Sequence, residues 1–318
     1  MGGFGTAKSE EKQAAKPKSQ ADRFAELREE LEHLKTIKPV SHVFCGLIGY
    51  ENSAKTGVVV DALMSNEEAI ANNDMLWVLD FDGGASATRT GHYKNAENIR
   101  IWDPVVMQPN AVTAFDYPAT HDRVLSIAQF ALEHAKNQSR KGYEGPKIWG
   151  FLVTAVDVFD DICIANMKIT DLGTAKDGIE AANPTKLVGN QWNWTLRSTR
   201  FHQLTYICKE MVKYGVNVFY ETHLKEARDE KGNIIAGREG PPVWEKTTPN
   251  HLNQIIRCRR EEVLDDDGKL IATEFTAKVE KCKTNSTLQG YTETVLRATT
   301  KDRKAEWKGF SPLRKMEL

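Results

Sequence analysis

The sequence has no apolar run approaching the roughly 18 residues that cross a bilayer, which argues against a membrane-spanning helix. It is also poor in paired cysteines. Its five cysteines, Cys45, Cys163, Cys208, Cys258 and Cys282, stand far apart and form no C-x-x-C pair. That spacing argues against a zinc site or a disulfide framework and for a reducing compartment. No secretory signal opens the chain, so a cytoplasmic location is expected. Charge of one sign is lacking too. Lys and Arg number 43 against 44 Asp and Glu, a net charge of −1, which argues against a constitutively basic nucleic-acid coat. Local basic loops remain compatible with that balance. The length of 318 residues and a 40% apolar fraction fit one large globular domain or two small ones. No internal repeat is evident.

Residues 1–20, rich in Gly, Lys, Ser and Ala, read as a flexible arm. Phe24, Leu27, Leu31 and Leu34 then recur at helical steps, and Pro39 ends that helix. The spacing predicts an arm and helix over 1–38 and a core over 39–318. Within the core, apolar runs predict buried strands at 42–48, 75–79, 99–102, 148–156 and 216–220. Helical patterns over 121–136 and 192–214 alternate with them, and Gly215 caps the second. Alternation of this kind implies a mostly parallel sheet with helices on both faces. Residues 166–190 read as a loop, and 224–245, with its glycines and prolines, as a long mobile loop. Two β-like stretches, 252–262 and 271–282, flank the turn signal Asp265-Asp266-Asp267-Gly268 and imply an antiparallel extension.

The octet Gly49-Tyr50-Glu51-Asn52-Ser53-Ala54-Lys55-Thr56 directly follows the first apolar run. It fits the phosphate-binding pattern G-x-x-x-x-G-K-[ST] except that Ala54 replaces the second glycine. In such a loop, successive N–H groups and a helix N-terminus face the phosphates of ATP. Lys55 would reach the β- and γ-phosphates, and the Thr56 hydroxyl would hold Mg²⁺. Ala54 is the anomalous position, because a β-carbon tolerates positive φ poorly.

Ligands of open α/β sheets bind at the carboxyl ends of strands. Besides the P-loop, Asp80/Asp82, Asp157 and Glu221/His223 fall at such ends. Asp157, after an apolar run, is a candidate for the Mg²⁺ shell, with Asp160 and Asp161 as competitors. Asp82 is a candidate to polarise an attacking water, with Asp80 as its rival. His223 is a candidate γ-phosphate sensor. Trp192 and Trp194 could stack on bases, with core packing as the alternative for at least one of them. Lys225, Arg228, Lys231 and Arg238 stud one presumed loop, and Lys168, Lys176 and Lys186 the other. Two basic loops on one rim would make a track for a nucleic-acid backbone.

Together these residues resemble the RecA-like recombinase ATPases, over about 40–285. Gly49 to Thr56 is similar to that family's P-loop, including Glu51 at the third place. Leu79-Asp80-Phe81-Asp82 looks like the segment that carries its catalytic carboxylate, here Asp82. Asp157 falls at the Walker B position and His223 at the polar sensor. The stretches after Asp157 and His223 fall where its DNA-binding loops lie. The resemblance implies that Lys281 and Lys283 reach the nucleotide of a neighbouring subunit. The nearest subgroup looks like short phage-encoded proteins, the AAA-type phage nucleotide-binding proteins linked to single-strand annealing, which would place the chain in a host cytoplasm. Phe4-Gly5-Thr6-Ala7 resembles the F-x-x-A tether of other recombinases, in which Phe4 and Ala7 would plug into the adjacent protomer. The implied activity is an ATP- and Mg²⁺-dependent, single-stranded-DNA-binding recombinase or annealing protein. It would form rings or filaments, with a single-strand-binding protein as a further partner. A DNA-translocating helicase or packaging motor and a non-hydrolysing nucleotide-binding assembly module are the rival readings.

Overall fold

Helix-forming residues at three- and four-residue steps give α1 (Gln20–Thr36), whose N-terminus is closed by Ser19 and Asp22. The structure is a computed structural model that describes residues 19–36, 43–109, 111–182, 192–301 and 304–318. It divides into two units, 1–41 and 42–318. Phe4, Ala7 and Lys186 lie outside the described residues. No helix among the described residues is long and apolar enough to cross a membrane.

The second unit is an α/β fold. In chain order it runs β1 (Phe44–Ile48), α2 (Lys55–Met64), α3 (Glu67–Ala71), β2 (Met75–Leu79), α4 (Gly84–His92) and β3 (Ile99–Trp102). A short pair, β4 (Met107–Gln108) and β5 (Ala111–Phe115), leads into α5 (Tyr117–Gln138), β6 (Ile148–Val153), α6 (Val156–Thr170) and α7 (Gly178–Ala182). Next come α8 (Asn193–Lys213), β7 (Asn217–Thr222), the hairpin β8 (Leu224–Arg228) and β9 (Ile234–Pro242), and α9 (Thr248–His251). The chain ends in β10 (Gln254–Leu264), β11 (Leu270–Cys282), β12 (Thr292–Thr299), β13 (Lys304–Trp307) and α10 (Ser311–Arg314).

The described strands build a nine-stranded sheet in the order β13-β12-β11-β10-β1-β7-β6-β2-β3. From β10 to β3 every pairing is parallel, and from β10 to β13 every pairing is antiparallel. Parallel strands must be buried on both faces, which is why β1 and β6 read as unbroken apolar runs. Helices α2, α4 and α10 bury Val58, Val59, Leu63, Ala85 and Leu313 against one face. Helices α5, α6 and α8 bury Val124, Phe159, Cys163, Phe201 and Cys208 against the other.

Three expectations change. β6 stops at Val153, and Ala155 turns the chain with φ 45°, so Asp157 belongs to the first turn of α6 rather than to a strand end. Helix α6 continues to Thr170 and α7 follows, where a loop was expected over 166–190. Residues 224–242 form the paired hairpin β8–β9, closed by Asp229 accepting from the N–H groups of Lys231 and Asn233, rather than a long mobile loop. Strands β12 and β13 were not anticipated; their short, mixed polar segments carry little periodicity.

One ion pair ties the end of this unit to its start. Arg314 donates Nε to Asp61 Oδ2 at 2.7 Å and Nη2 to Oδ1 at 2.8 Å, fastening α10 to α2. Asp61 is buried, so removing its partner strands a carboxylate. Arg314→Ala is expected to lower unfolding free energy by about 2–3 kcal/mol, measured by urea denaturation.

Candidate functional site: a cavity above the Gly49 to Thr56 loop

β1 delivers the octet Gly49 to Thr56 to the middle of the sheet's carboxyl edge. The loop needs Gly49, because a β-carbon there would meet the Cys258 carbonyl oxygen of β10 at 2.5 Å. Asn52 and Ala54 both take left-handed conformations, φ 55° and 66°. Ala54 therefore adopts the backbone that the usual glycine supplies, and α2 begins directly after it. Lys55 folds back over the loop, donating Nζ to the carbonyls of Gly49 at 3.3 Å and Tyr50 at 2.9 Å. A phosphate would offer it stronger, charged acceptors in place of these carbonyls.

A cavity of about 540 Å³ opens above the loop. Glu51, Lys55, Thr56, Asp82, Glu221 and His223 supply its polar lining. Its apolar wall is Phe275, Leu296 and Trp307, contributed by the antiparallel extension. Trp307 rests on Gly57, where a β-carbon would meet the indole at 1.9 Å. The edge of His92 faces the same ring, with centroids 5.8 Å apart.

Asp82 and Asp80, which the sequence left as rivals, have different work. Asp80 is buried and saturated: it accepts from the N–H groups of Ala85 and Ser86 and from the Ser86 hydroxyl, and so holds the start of α4. Asp82 is exposed to the cavity and accepts only from the Gly84 N–H at 3.0 Å. His223 also lines the cavity. Its Nδ1 lies 3.0 Å from Asp157 Oδ2, and this bond raises the imidazole's pKa.

That contact corrects the reading of Asp157. Its carboxylate is bonded to His223 and does not line the cavity above the loop, since the turn at Ala155 carries it into α6. Asp160 is held by Arg197 Nη1 at 2.7 and 2.9 Å and is likewise remote. The side chain that meets Thr56 is Glu221, whose Oε2 accepts from the Thr56 hydroxyl at 2.8 Å. Glu221 is 2% exposed, and its Oε1 is buried without a protein partner. Burial pushes its carboxyl up to about 8, against the opposing pull of the Lys55 ammonium and the Thr56 hydrogen bond. The sequence held one signal for it: Glu221 shares strand parity with Phe219, so an acid occupies the face that α2 covers.

The remaining expected residues scatter. Lys281 donates to the Pro249 carbonyl and Lys283 to the Asn250 carbonyl at 3.2 Å. Lys281 pairs with Ile255 of β10, Lys283 follows the end of β11, and neither lines this chain's own cavity. Lys168 donates to the Ala181 carbonyl and holds α7 to α6. Trp192 is 82% exposed, whereas Trp194 is covered on one face by the Arg197 guanidinium, 5.3 Å from its centroid. On the β8–β9 hairpin, Lys225, Arg228, Lys231 and Arg238 are matched by Glu226, Asp229, Glu230 and Glu239. Arg228 is paired with Glu226, and Lys225 and Arg238 are exposed.

No cluster of three or more His, Cys, Asp or Glu side chains able to hold a metal by itself occurs among the described residues. The hydroxyl of Thr56 and the free oxygen of Glu221 are hard donors that suit Mg²⁺ arriving with a nucleotide, since that ion takes one or two carboxylates plus phosphates. No protein-family model matches the chain, and no curated protein matches it.

The loop geometry fixes the sign of one substitution. Left-handed backbone costs a non-glycine residue about 1–2 kcal/mol, partly offset by the freedom glycine gains when unfolded. Ala54→Gly is therefore expected to raise unfolding free energy by up to about 1 kcal/mol, read by thermal and urea melts.

Proposed function

We propose that this chain is a RecA-like P-loop ATPase that binds ATP and Mg²⁺ in the cavity above Gly49 to Thr56. The observation that carries the reading is the convergence of Lys55, Thr56, Asp82, Glu221 and His223 on one cavity at the carboxyl edge of a parallel sheet. The inward-turning loop and the start of α2 supply N–H groups for phosphate oxygens. Lys55 adds the compensating charge. The strand order also supports the reading, because β7 and β6 stand between the P-loop strand β1 and the Asp82-bearing β2.

In hydrolysis, the oxygen of a water attacks the γ-phosphorus and the bond to the β–γ bridging oxygen breaks, leaving ADP with the electron pair. Asp82 accepts the water's proton. His223, held by Asp157, donates a hydrogen bond to the γ-phosphate. Mg²⁺, when bound, offsets phosphate charge.

Single-stranded DNA is the polymer we assign to the rim, with recombination or annealing in a homo-oligomer as the outcome. Lys225 and Arg238, exposed on the hairpin beside the cavity's His223, and the half-exposed Arg259 and Arg260 support this assignment. In the same scheme Phe4, Ala7, Lys281 and Lys283 serve contacts between copies. A second reading, nucleotide binding without turnover, draws support from the strained Ala54 and from an aspartate, Asp82, where the resembled family usually has a glutamate.

Lys55→Ala tests the core of the proposal. ATP affinity is expected to fall by about 1.5–3 kcal/mol, ten- to a hundredfold or more, with an unchanged melting temperature. Calorimetry measures the first, and unaltered affinity would remove the P-loop reading; phosphate release by the native chain separates turnover from binding alone. Neutralising Lys225 and Arg238 is expected to weaken oligonucleotide binding in anisotropy titrations. The log–log salt slope should drop by about 0.7 per lost phosphate contact, while ATP affinity stays intact.

A further inference from the structure

We propose that Glu221, together with Thr56, forms the protein's share of the Mg²⁺ site, in the role that the sequence assigned to Asp157. This rests on the nucleotide reading above and names the residue that makes the site metal-dependent. Thr56 and Glu221 come from different elements, α2 and β7, and are brought together because Glu221 pairs in register with Leu47 of β1. The Thr56 hydroxyl donates to Oε2 at 2.8 Å. A hydroxyl that donates its proton to a carboxylate keeps its lone pairs for a cation. The second oxygen of Glu221, Oε1, is buried without a protein partner in a side chain that lines the cavity. A buried polar atom of this kind is accounted for by a group that is present only when the site is loaded.

The other acids nearby are already engaged or misplaced. Asp80 is consumed by the start of α4 and Asp160 by Arg197, while Asp157 is bonded to His223 through Oδ2 and its partnerless Oδ1 belongs to a side chain outside the cavity lining. At the end of β6, Thr154 stands in place of an acid, and its hydroxyl accepts from the Phe81 N–H at 3.0 Å. Asp82 and Glu51 also line the cavity, but both are exposed and neither is bonded to Thr56. A carboxylate buried on the covered face of a strand is unfavourable unless it meets charge or hydrogen bonds. Lys55 and Thr56 meet Glu221 partly, and a divalent cation would complete its surroundings.

The experiment is calorimetric titration of the full chain with ATP, in Mg²⁺ and again in EDTA, for the native protein, Glu221→Gln and Asp157→Asn. The native protein is expected to bind ATP more tightly with Mg²⁺. Glu221→Gln should keep the affinity seen in EDTA and lose about tenfold or more of the Mg²⁺-dependent gain, the usual effect of weakening a metal's surroundings. Asp157→Asn releases His223 and is expected to lower ATP affinity equally in Mg²⁺ and in EDTA, so that the Mg²⁺-dependent gain, read as the ratio of the two, is retained. Manganese bound in the ternary complex with ADP, counted by electron paramagnetic resonance, should fall in Glu221→Gln in parallel. The amide still accepts from Thr56, so the variant should fold; if it does not, Glu221→Asp serves the same comparison. A full Mg²⁺ gain in the Glu221 variant, or its loss in Asp157→Asn, overturns the assignment while leaving nucleotide binding standing. Absence of ATP binding by the native chain under both conditions overturns the nucleotide reading, and this proposal with it.

Discussion

Parallel pairing of β1 with β7 on one side and β10 on the other is the constraint on which the site depends. It fixes where the Gly49 to Thr56 loop leaves the sheet, and it decides what the loop meets. β7 brings Glu221 level with Leu47 and under Thr56, and continues into His223. β10 brings the Cys258 carbonyl so close to Gly49 that no side chain fits there. β10 also launches the antiparallel strands whose Phe275, Leu296 and Trp307 wall the cavity. Slipping β7 by one residue against β1 would send Glu221 to the opposite face, toward Tyr220 and the helices that cover it.

Much of this was legible in the sequence because the parallel core writes itself in long apolar runs. β1, β2, β6 and β7, with α5 and α8, follow directly from hydrophobic spacing. The hairpin β10–β11 was legible from its Asp-Asp-Asp-Gly turn, where Gly268 takes φ 76°. The loop itself was legible from Lys55-Thr56 after a strand, and the conformation of Ala54 explains why its residue type looked anomalous. Asp157 was misplaced for a simple reason. Thr154, Ala155 and Val156 extend the apolar run past the true end of β6, and only the left-handed turn at Ala155 ends it. The role of Glu221 depends on which face of β7 lies beneath α2, a fact of sheet order that no local pattern carries. The hairpin β8–β9 was hidden by its glycines and prolines, which read as loop although the backbone pairs.

Electrostatically, the site divides its acids by surroundings. Asp80 is bonded into the scaffold, Asp157 orients an imidazole, Asp82 is left open to the cavity, and Glu221 is buried against Thr56 and Lys55. Four carboxylates within one region thus carry four different tasks, and hydrogen-bond partners separate them more clearly than position in the chain. Lys55 is the cation that these surroundings share: its charge acts on Glu221 and on His223 alike.

The Asp61–Arg314 clasp has a consequence for the order in which the molecule is made. Its partners are 253 residues apart in sequence, and β1 waits nearly as long for β10. Closing loops of that length is entropically demanding, and contacts of such separation form slowly. During synthesis, the Gly49 to Thr56 loop and the first helix of this unit emerge long before the strands that flank and roof them. A nascent chain therefore carries that loop with one side of β1 unpaired and Asp61 without its arginine. The cavity above the loop is among the last features to be completed, so its appearance during refolding is a direct clock for the arrival of the C-terminal strands.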